Sequence, residues 1–229
     1  MNLERYQRIT SVLKARQTDL TLCLEEVHKA NNVSAIVRTA DATGIHKIHA
    51  VWPTEQMQML GHTSAGARNW VDVETHKNIE DAFATLKEQG MQILATNLSD
   101  TAVDFREVDY TKPTAIILGS EKTGISKKAL AMADQDIIIP MVGMVQSLNV
   151  SVASALILYE AQRQRDLAGM YNREESALPE EYINRVLFER GHPVLAKVAK
   201  RKGLPFPPLD ETGQIVADDA WWETMQAAD

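Results

Sequence analysis

The sequence predicts an α/β fold: a mostly parallel sheet flanked by helices, with helical extensions at both ends. Three observations predict it. Strand-like runs alternate with helical stretches of similar length between residues 20 and 139, the pattern of a sheet covered on both faces. The helical stretches carry their own start and stop residues. Beyond about residue 170 the patterns are helical, with no clear strand.

Taken in order, residues 3–16 read as a polar amphipathic helix, and "LTLCLEEV" (20–27) reads as a strand. "NNVSAIVRTADATG" (31–44) reads as a helix with Asn31 or Asn32 as its N-cap and Gly44 as its terminator. "IHKIHAVW" (45–52) alternates like a strand and stops at Pro53, and "WVDVET" (70–75) is another short strand. "NIEDAFATLKEQG" (78–90) is a helix between Asn78 and Gly90. "MQILATNL" (91–98) and "TAIILG" (114–119) are strands, and "SKKALAMAD" (126–134) is a helix capped by Ser126. A β-branched run, Ile137 to Ile139, is stopped by Pro140. A loop with Gly143, Gln146, Ser147 and Asn149 then opens onto a long apolar helix starting at Val150. "PEEYINRVLFERG" is a helix with Pro179 near its first turn, and "LPFPP" (204–208) cannot continue one. The expected organisation is a basic N-terminal helix over 1–18, one α/β domain over 19–170, and a helical extension with an acidic tail over 171–229.

The 229 residues suffice for one sizeable core, with 45% hydrophobic and 24% charged residues. No apolar stretch is long enough for a bilayer span. "MNLERYQRIT" is charged and has no apolar leader, and a single Cys23 excludes an internal disulfide. A reducing cytoplasm is the expected compartment. The net charge is −7, but six acids and no Lys or Arg lie in Leu204–Asp229, without which it is −1. "RGHPVLAKVAKRKG" just before them carries no acid, and Arg5, Arg8, Lys14 and Arg16 outweigh Glu4 at the other end. Two basic patches flanking one domain point to a phosphate-bearing partner.

Common nucleotide and metal sites are absent. "GSEKTGIS" (119–126) has P-loop glycine spacing but Ile125 in the lysine position. There is no G-x-G-x-x-G, no G-x-S-x-G and no H-x-x-x-H, so no metal site is expected; His46 and His49 read as packed or exposed rather than ligating. Three polar islands remain: Asn32 to Arg38, Glu121, and Ser147 with Asn149. Each has a bland reading, as an Arg38–Asp41 surface pair, an exposed turn and a helix cap. Together they fall at strand ends or helix starts, where ligand crevices of open α/β sheets form.

The stretches "NNVSAIVRTADA", "ILGSEKTGIS" and "IIIPMVGMVQSLNVSVASALILYEAQRQR" resemble the three motifs of the SpoU/TrmH branch of the SPOUT RNA methyltransferases, across roughly residues 20–170. "KANN" (29–32) departs from it, with Ala30 and Asn31 where the family usually shows Pro and His. The resemblance implies a deep trefoil knot towards the C-terminal end of the sheet, unusual because true knots are nearly absent from proteins. It implies S-adenosylmethionine as cofactor, held around Thr96, Gly119, Ile139, Met144 and Leu148. It implies 2′-O-methylation of a ribose in tRNA, with the D-loop guanosine as the expected target and rRNA or a wobble ribose as alternatives. It also implies a homodimer with the active site near the subunit interface. Arg38 would be catalytic, with Asn32, Glu121, Ser147 and Asn149 positioning the reactants. Arg8, Arg163, Arg165, Lys200, Arg201 and Lys202 are the expected contacts to tRNA phosphates. DNA lacks the reacting hydroxyl and is not an expected substrate. A non-catalytic RNA-binding protein is the alternative from another class.

Overall fold

The computed structural model describes residues 1–52, 54 and 69–227. Pro53, read from the sequence as a strand stop, lies outside them. The chain divides into two compact units, one of residues 17–172 and one of residues 1–16 with 173–227.

In the larger unit the strands are β1 (Leu20–Glu25), β2 (Lys47–Val51), β3 (Asp72–His76), β4 (Gln92–Thr96), β5 (Val103–Asp104), β6 (Thr114–Gly119) and β7 (Gln135–Ile138). They form one sheet in the order β3-β2-β1-β6-β4-β7-β5, and every pairing is parallel. After α1 (Leu3–Lys14) of the smaller unit, the α-helices among this unit's described residues are α2 (Ala30–Ala42), α3 (Ile79–Glu88), α4 (Lys127–Met132) and α5 (Val150–Leu167). Strand side chains alternate between faces, so β1 feeds two cores. Leu20, Leu22 and Leu24 pack with Ile36, Val37 and Ala40 of α2 and with Ile157 and Leu158 of α5. Cys23 packs the other way, with Phe83 and Leu86 of α3 and Ala129 of α4. Burial pushes the Cys23 thiol well above its ordinary pKa.

Most helix starts follow the sequence. Asn78 accepts from the Asp81 amide at 2.8 Å and Ser126 from the Ala129 amide at 3.1 Å, which satisfies one otherwise unpaired donor at each N-terminus. Gly90 ends the α3 segment in the left-handed region at φ 70°. The start of α2 is a correction: its N-cap is Lys29, with no side-chain cap. Asn31 and Asn32 lie inside the first turn, and the Asn32 side chain is directed elsewhere. β5 escaped notice because it is two residues long and ends in Asp104. β7 starts earlier than its apolar run, at Gln135 and Asp136.

The smaller unit contains α1 (Leu3–Lys14), α6 (Glu180–Gly191), α7 (Pro193–Arg201) and α8 (Asp219–Gln226). Phe188, Ala196, Ala199, Trp221 and Met225 form its core. Trp221 is docked there, its indole N–H donating to Pro205 O at 3.0 Å. No described helix is long and apolar enough to cross a membrane.

Arg165 corrects an expectation. It was a candidate for tRNA phosphate, yet its side chain is 0% exposed. Its guanidinium reaches Tyr110 O (2.8 Å), Gln17 Oε1 (2.9 Å), Asp19 Oδ1 (2.5 Å), Asp19 O (3.1 Å) and Lys112 O (3.0 Å). All five N–H donors are therefore used, and none is left for a phosphate. Arg165 instead ties the C-terminal part of α5 to the chain entering β1 and β6. Arg165→Met should lower stability by about 3–5 kcal/mol, because it strands a carboxylate and several carbonyls. Arg163→Met, at an exposed i,i+3 pair with Glu160, should cost less than about 1 kcal/mol. Urea denaturation of the two variants measures the contrast.

Candidate active site

The carboxyl ends of β4, β6 and β7 border a cavity of about 540 Å³. Its apolar wall is made by Leu118, Ile137, Ile139, Leu148 and Ile157, and Thr96, Ser120, Glu121, Ser147 and Asn149 supply polar groups. That volume and mixed lining suit a cofactor-sized molecule.

The loop after β6 creates one wall by doubling back on itself. The Gly124 amide donates to Ser120 O at 2.9 Å, and the Ser120 and Thr123 hydroxyls lie 2.7 Å apart. The Ser126 amide donates to Glu25 Oε2 at 2.8 Å, fastening the loop's end to β1. A Cβ on Gly119 would collide with the backbone of Gly124 and Ile125, so only glycine permits this fold-back. On the opposite side Thr96 Oγ1 donates to Ile117 O at 3.0 Å. Asp136 accepts from Asn97 at 2.8 Å and Ser99 at 2.6 Å, holding the chain after β4.

The third wall comes from the segment between β7 and α5. Residues 140–148 form no backbone–backbone hydrogen bond among the described residues. Their main-chain donors and acceptors are therefore uncommitted. Asn149 ends the segment by capping α5, accepting from the Ser151 amide at 2.8 Å. Its amide nitrogen donates to Asn32 Oδ1 at 3.3 Å, and Asn32 Nδ2 donates to Glu121 Oε1. The Lys29 ammonium stands 3.9 Å from the same Glu121 oxygen. One residue from each sequence motif thus joins a single hydrogen-bonded series at the cavity.

The chain's own family is decided by comparison. The family model described as the SpoU rRNA Methylase family matches residues 19–159, and the model of the SpoU rRNA methylase C-terminal region matches 163–218. The chain belongs to the SpoU methylase family. This SpoU methylase is 67% identical, over 100% of both chains, to a tRNA (guanosine(18)-2′-O)-methyltransferase of Escherichia coli K12. It is similar to the crystal structure of an Aquifex aeolicus TrmH/SpoU tRNA modifying enzyme, with TM-score 0.71 and 42% identity over 83% of this chain and 96% of that one. It also resembles an AdoMet-bound rRNA methyltransferase of Sinorhizobium meliloti, with TM-score 0.58 and 28% identity over 67% of this chain and 59% of that one.

The residues expected from this SpoU methylase's sequence divide clearly. Thr96, Gly119, Ile139, Leu148, Glu121, Ser147 and Asn149 line the cavity, and Asn32 is bonded to two of them. Met144 does not line it and is 98% exposed. Arg38 is exposed, not set into the apolar face of α2, and does not line the cavity. It forms no ion pair with another described residue, Asp41 included. Among the basic residues, Arg8 and Arg201 are exposed. Arg163 and Lys200 are paired with Glu160 and Glu189 at 2.7 and 2.8 Å. The Lys202 ammonium donates to Thr224 O and Ala227 O at 2.8 and 2.5 Å, capping the end of α8. The sequence reading missed Lys29, Asn97 and Ala153. Ala153 and Ile157 share one face of α5 at i,i+4 spacing, a pattern indistinguishable from core packing before the cavity is seen.

Gly119→Ala should destabilise the protein by about 1–3 kcal/mol through overpacking and displace Glu121. Gly143→Ala, where a Cβ meets nothing within 4 Å, should leave the melting temperature nearly unchanged. Calorimetry and a crystal structure of each variant check both outcomes.

Proposed function

We propose that this SpoU methylase transfers the methyl group of S-adenosylmethionine to the ribose 2′-oxygen of guanosine 18 in tRNA, the reaction named for its Escherichia coli relative. The observation that carries the reading is the series Asn149–Asn32–Glu121 at the rim of the cavity. When bound, S-adenosylmethionine supplies an electrophilic methyl group on a sulfonium centre. The chain's part is to hold the donor, align the sugar oxygen behind the methyl and favour loss of the hydroxyl proton. Apolar Ile139, Leu148 and Ile157 would offer a face for the adenine, and the uncommitted backbone of 140–148 would offer hydrogen bonds to its edge. The Glu121 carboxylate would set negative charge at the cavity wall, which favours a cationic donor. Alignment of this kind is worth about 7–11 kcal/mol.

Arg38 acts in this reading by holding a phosphate beside the target ribose and stabilising alkoxide charge as it develops. It is no literal base, because a guanidinium stays protonated. Since it is absent from its own chain's cavity wall, it serves the cavity of a second subunit. A homodimer would be formed through the exposed stripe Val152, Leu156 and Tyr159 of α5, with the exposed Val142, Met144 and Val145 of the preceding segment as further apolar candidates. The stripe's i,i+4,i+7 spacing puts all three on one helix face. The trefoil knot belongs to the same reading, made by the chain after β4 and β6 with the stretch 137–160. Arg8, Arg201 and the ion-paired Arg163 and Lys200 are the remaining candidates for tRNA phosphates, and the cytoplasm is the compartment. DNA would not be methylated, having no 2′-hydroxyl.

Incubation with labelled S-adenosylmethionine and a tRNA transcript should place one methyl on the ribose of guanosine 18, and none on a transcript with a 2′-deoxy sugar there. Label on another nucleotide, or none at all, overturns the assignment. Arg38→Ala should lower kcat by about 10²–10³-fold, as loss of an electrostatic stabiliser does, with cofactor affinity unchanged. Leu156→Glu should convert the dimer to a monomer in light scattering. The monomer should retain its fold and lose methyl transfer, whereas an active monomer would refute the shared site.

A further inference from the structure

Strand β3 is at one edge of the sheet. It pairs in parallel with β2 so that His49 stands opposite Glu74 and Val51 opposite His76. Side chains two apart on a strand share a face. Lys47, His49, Glu74 and His76 therefore meet on one side of the sheet. His49 and His76 are buried, at 1% and 8% exposure. Their rings are stacked, 5.2 Å between centroids, and His49 Nδ1 is 2.9 Å from His76 Nε2. Glu74 Oε1 lies 3.8 Å from His76 Nε2. One ligand atom from each of the three residues falls within 4.8 Å of the others. The proposed methyl transfer uses none of them.

We propose that His49, Glu74 and His76 form a binding site for a divalent transition-metal ion of the zinc class. Two imidazoles and one carboxylate are a known zinc donor set, with water completing the tetrahedron. Metal–ligand bonds of about 2.0–2.1 Å put neighbouring ligand atoms of a tetrahedron about 3.3–3.5 Å apart. The 2.9 and 3.8 Å separations bracket that value and the remaining pair lies within 4.8 Å, so rotation of the partly exposed Glu74 side chain can close the set. Nitrogen ligands select zinc, cobalt, nickel or copper over magnesium and calcium, which prefer oxygen. In the free site the two rings share one hydrogen between Nδ1 and Nε2. On binding, the donor ring moves that hydrogen to its other nitrogen, and both facing lone pairs turn to the ion. Lys47 donates to the other Glu74 oxygen at 2.7 Å. It leaves Oε1 to the ion and sets a positive charge nearby, which limits affinity. The ion would act as a clasp joining the edge strand to its neighbour.

The test uses tag-free, full-length protein stripped of metal by a chelator. Addition of Zn²⁺ should bind one equivalent by calorimetry and raise the melting temperature, and Co²⁺ should give the visible absorption of a tetrahedral site. Glu74→Gln, at a side chain 36% exposed, should fold normally and weaken binding at least about tenfold, the lower end of what even an outer partner of a metal ligand is worth. Lys47→Met should tighten binding. The proposal fails if the wild type takes up no Zn²⁺. It also fails if Glu74→Gln and Lys47→Met both bind like the wild type, since the ion would then reside elsewhere.

Discussion

At the end of β6 two stretches of backbone come closer than any side chain allows. Gly119 has no Cβ, and the peptide of Gly124 fills the place where one would be. That contact folds the loop back, and its end is held by the Glu25 carboxylate on the Ser126 amide. Because the loop returns, Glu121 reaches Asn32 at the start of α2. Its carboxylate then draws in Asn32, and Asn32 draws in Asn149. Three distant segments are brought into register at the carboxyl end of the sheet by one missing methyl group.

Much of this was legible beforehand, for physical reasons. Leu20, Leu22 and Leu24 alternate with Thr21 and Cys23, and that period of two fixes which core each one enters. Asn78 and Ser126 are capping residues placed directly before helical patterns, and both cap. Asn32 was misread by the same rule. It has the chemistry of a cap, but its amide is committed to Glu121, and α2 starts at Lys29 without side-chain help. Local preference failed there because a contact across 89 residues of sequence took the side chain. Arg165 was misread because a charged residue near the end of a helix looks solvated unless one knows that Asp19 and the carbonyls of Tyr110 and Lys112 converge on it. The pairing of His49 with His76 depends on strand register, which no spacing within one strand reveals.

The distribution of charge also changes meaning once the partners are known. The basic residues after residue 190 suggest one continuous surface for polyanions. Lys202 instead closes the end of α8, and Lys200 neutralises Glu189. The acidic tail is no loose repellent either, since Trp221 anchors α8 in the core of the smaller unit. Counting charges along the chain overstates what is free to meet a phosphate, because intramolecular pairs are made first.

Asn149 bears two obligations with a single carboxamide. Its oxygen starts α5, and its nitrogen reaches the asparagine of another motif. Selection for a sound scaffold and selection for reactive geometry therefore act on the same few atoms. At this position a loss of turnover and a loss of folding would have a common origin, and neither can drift without disturbing the other.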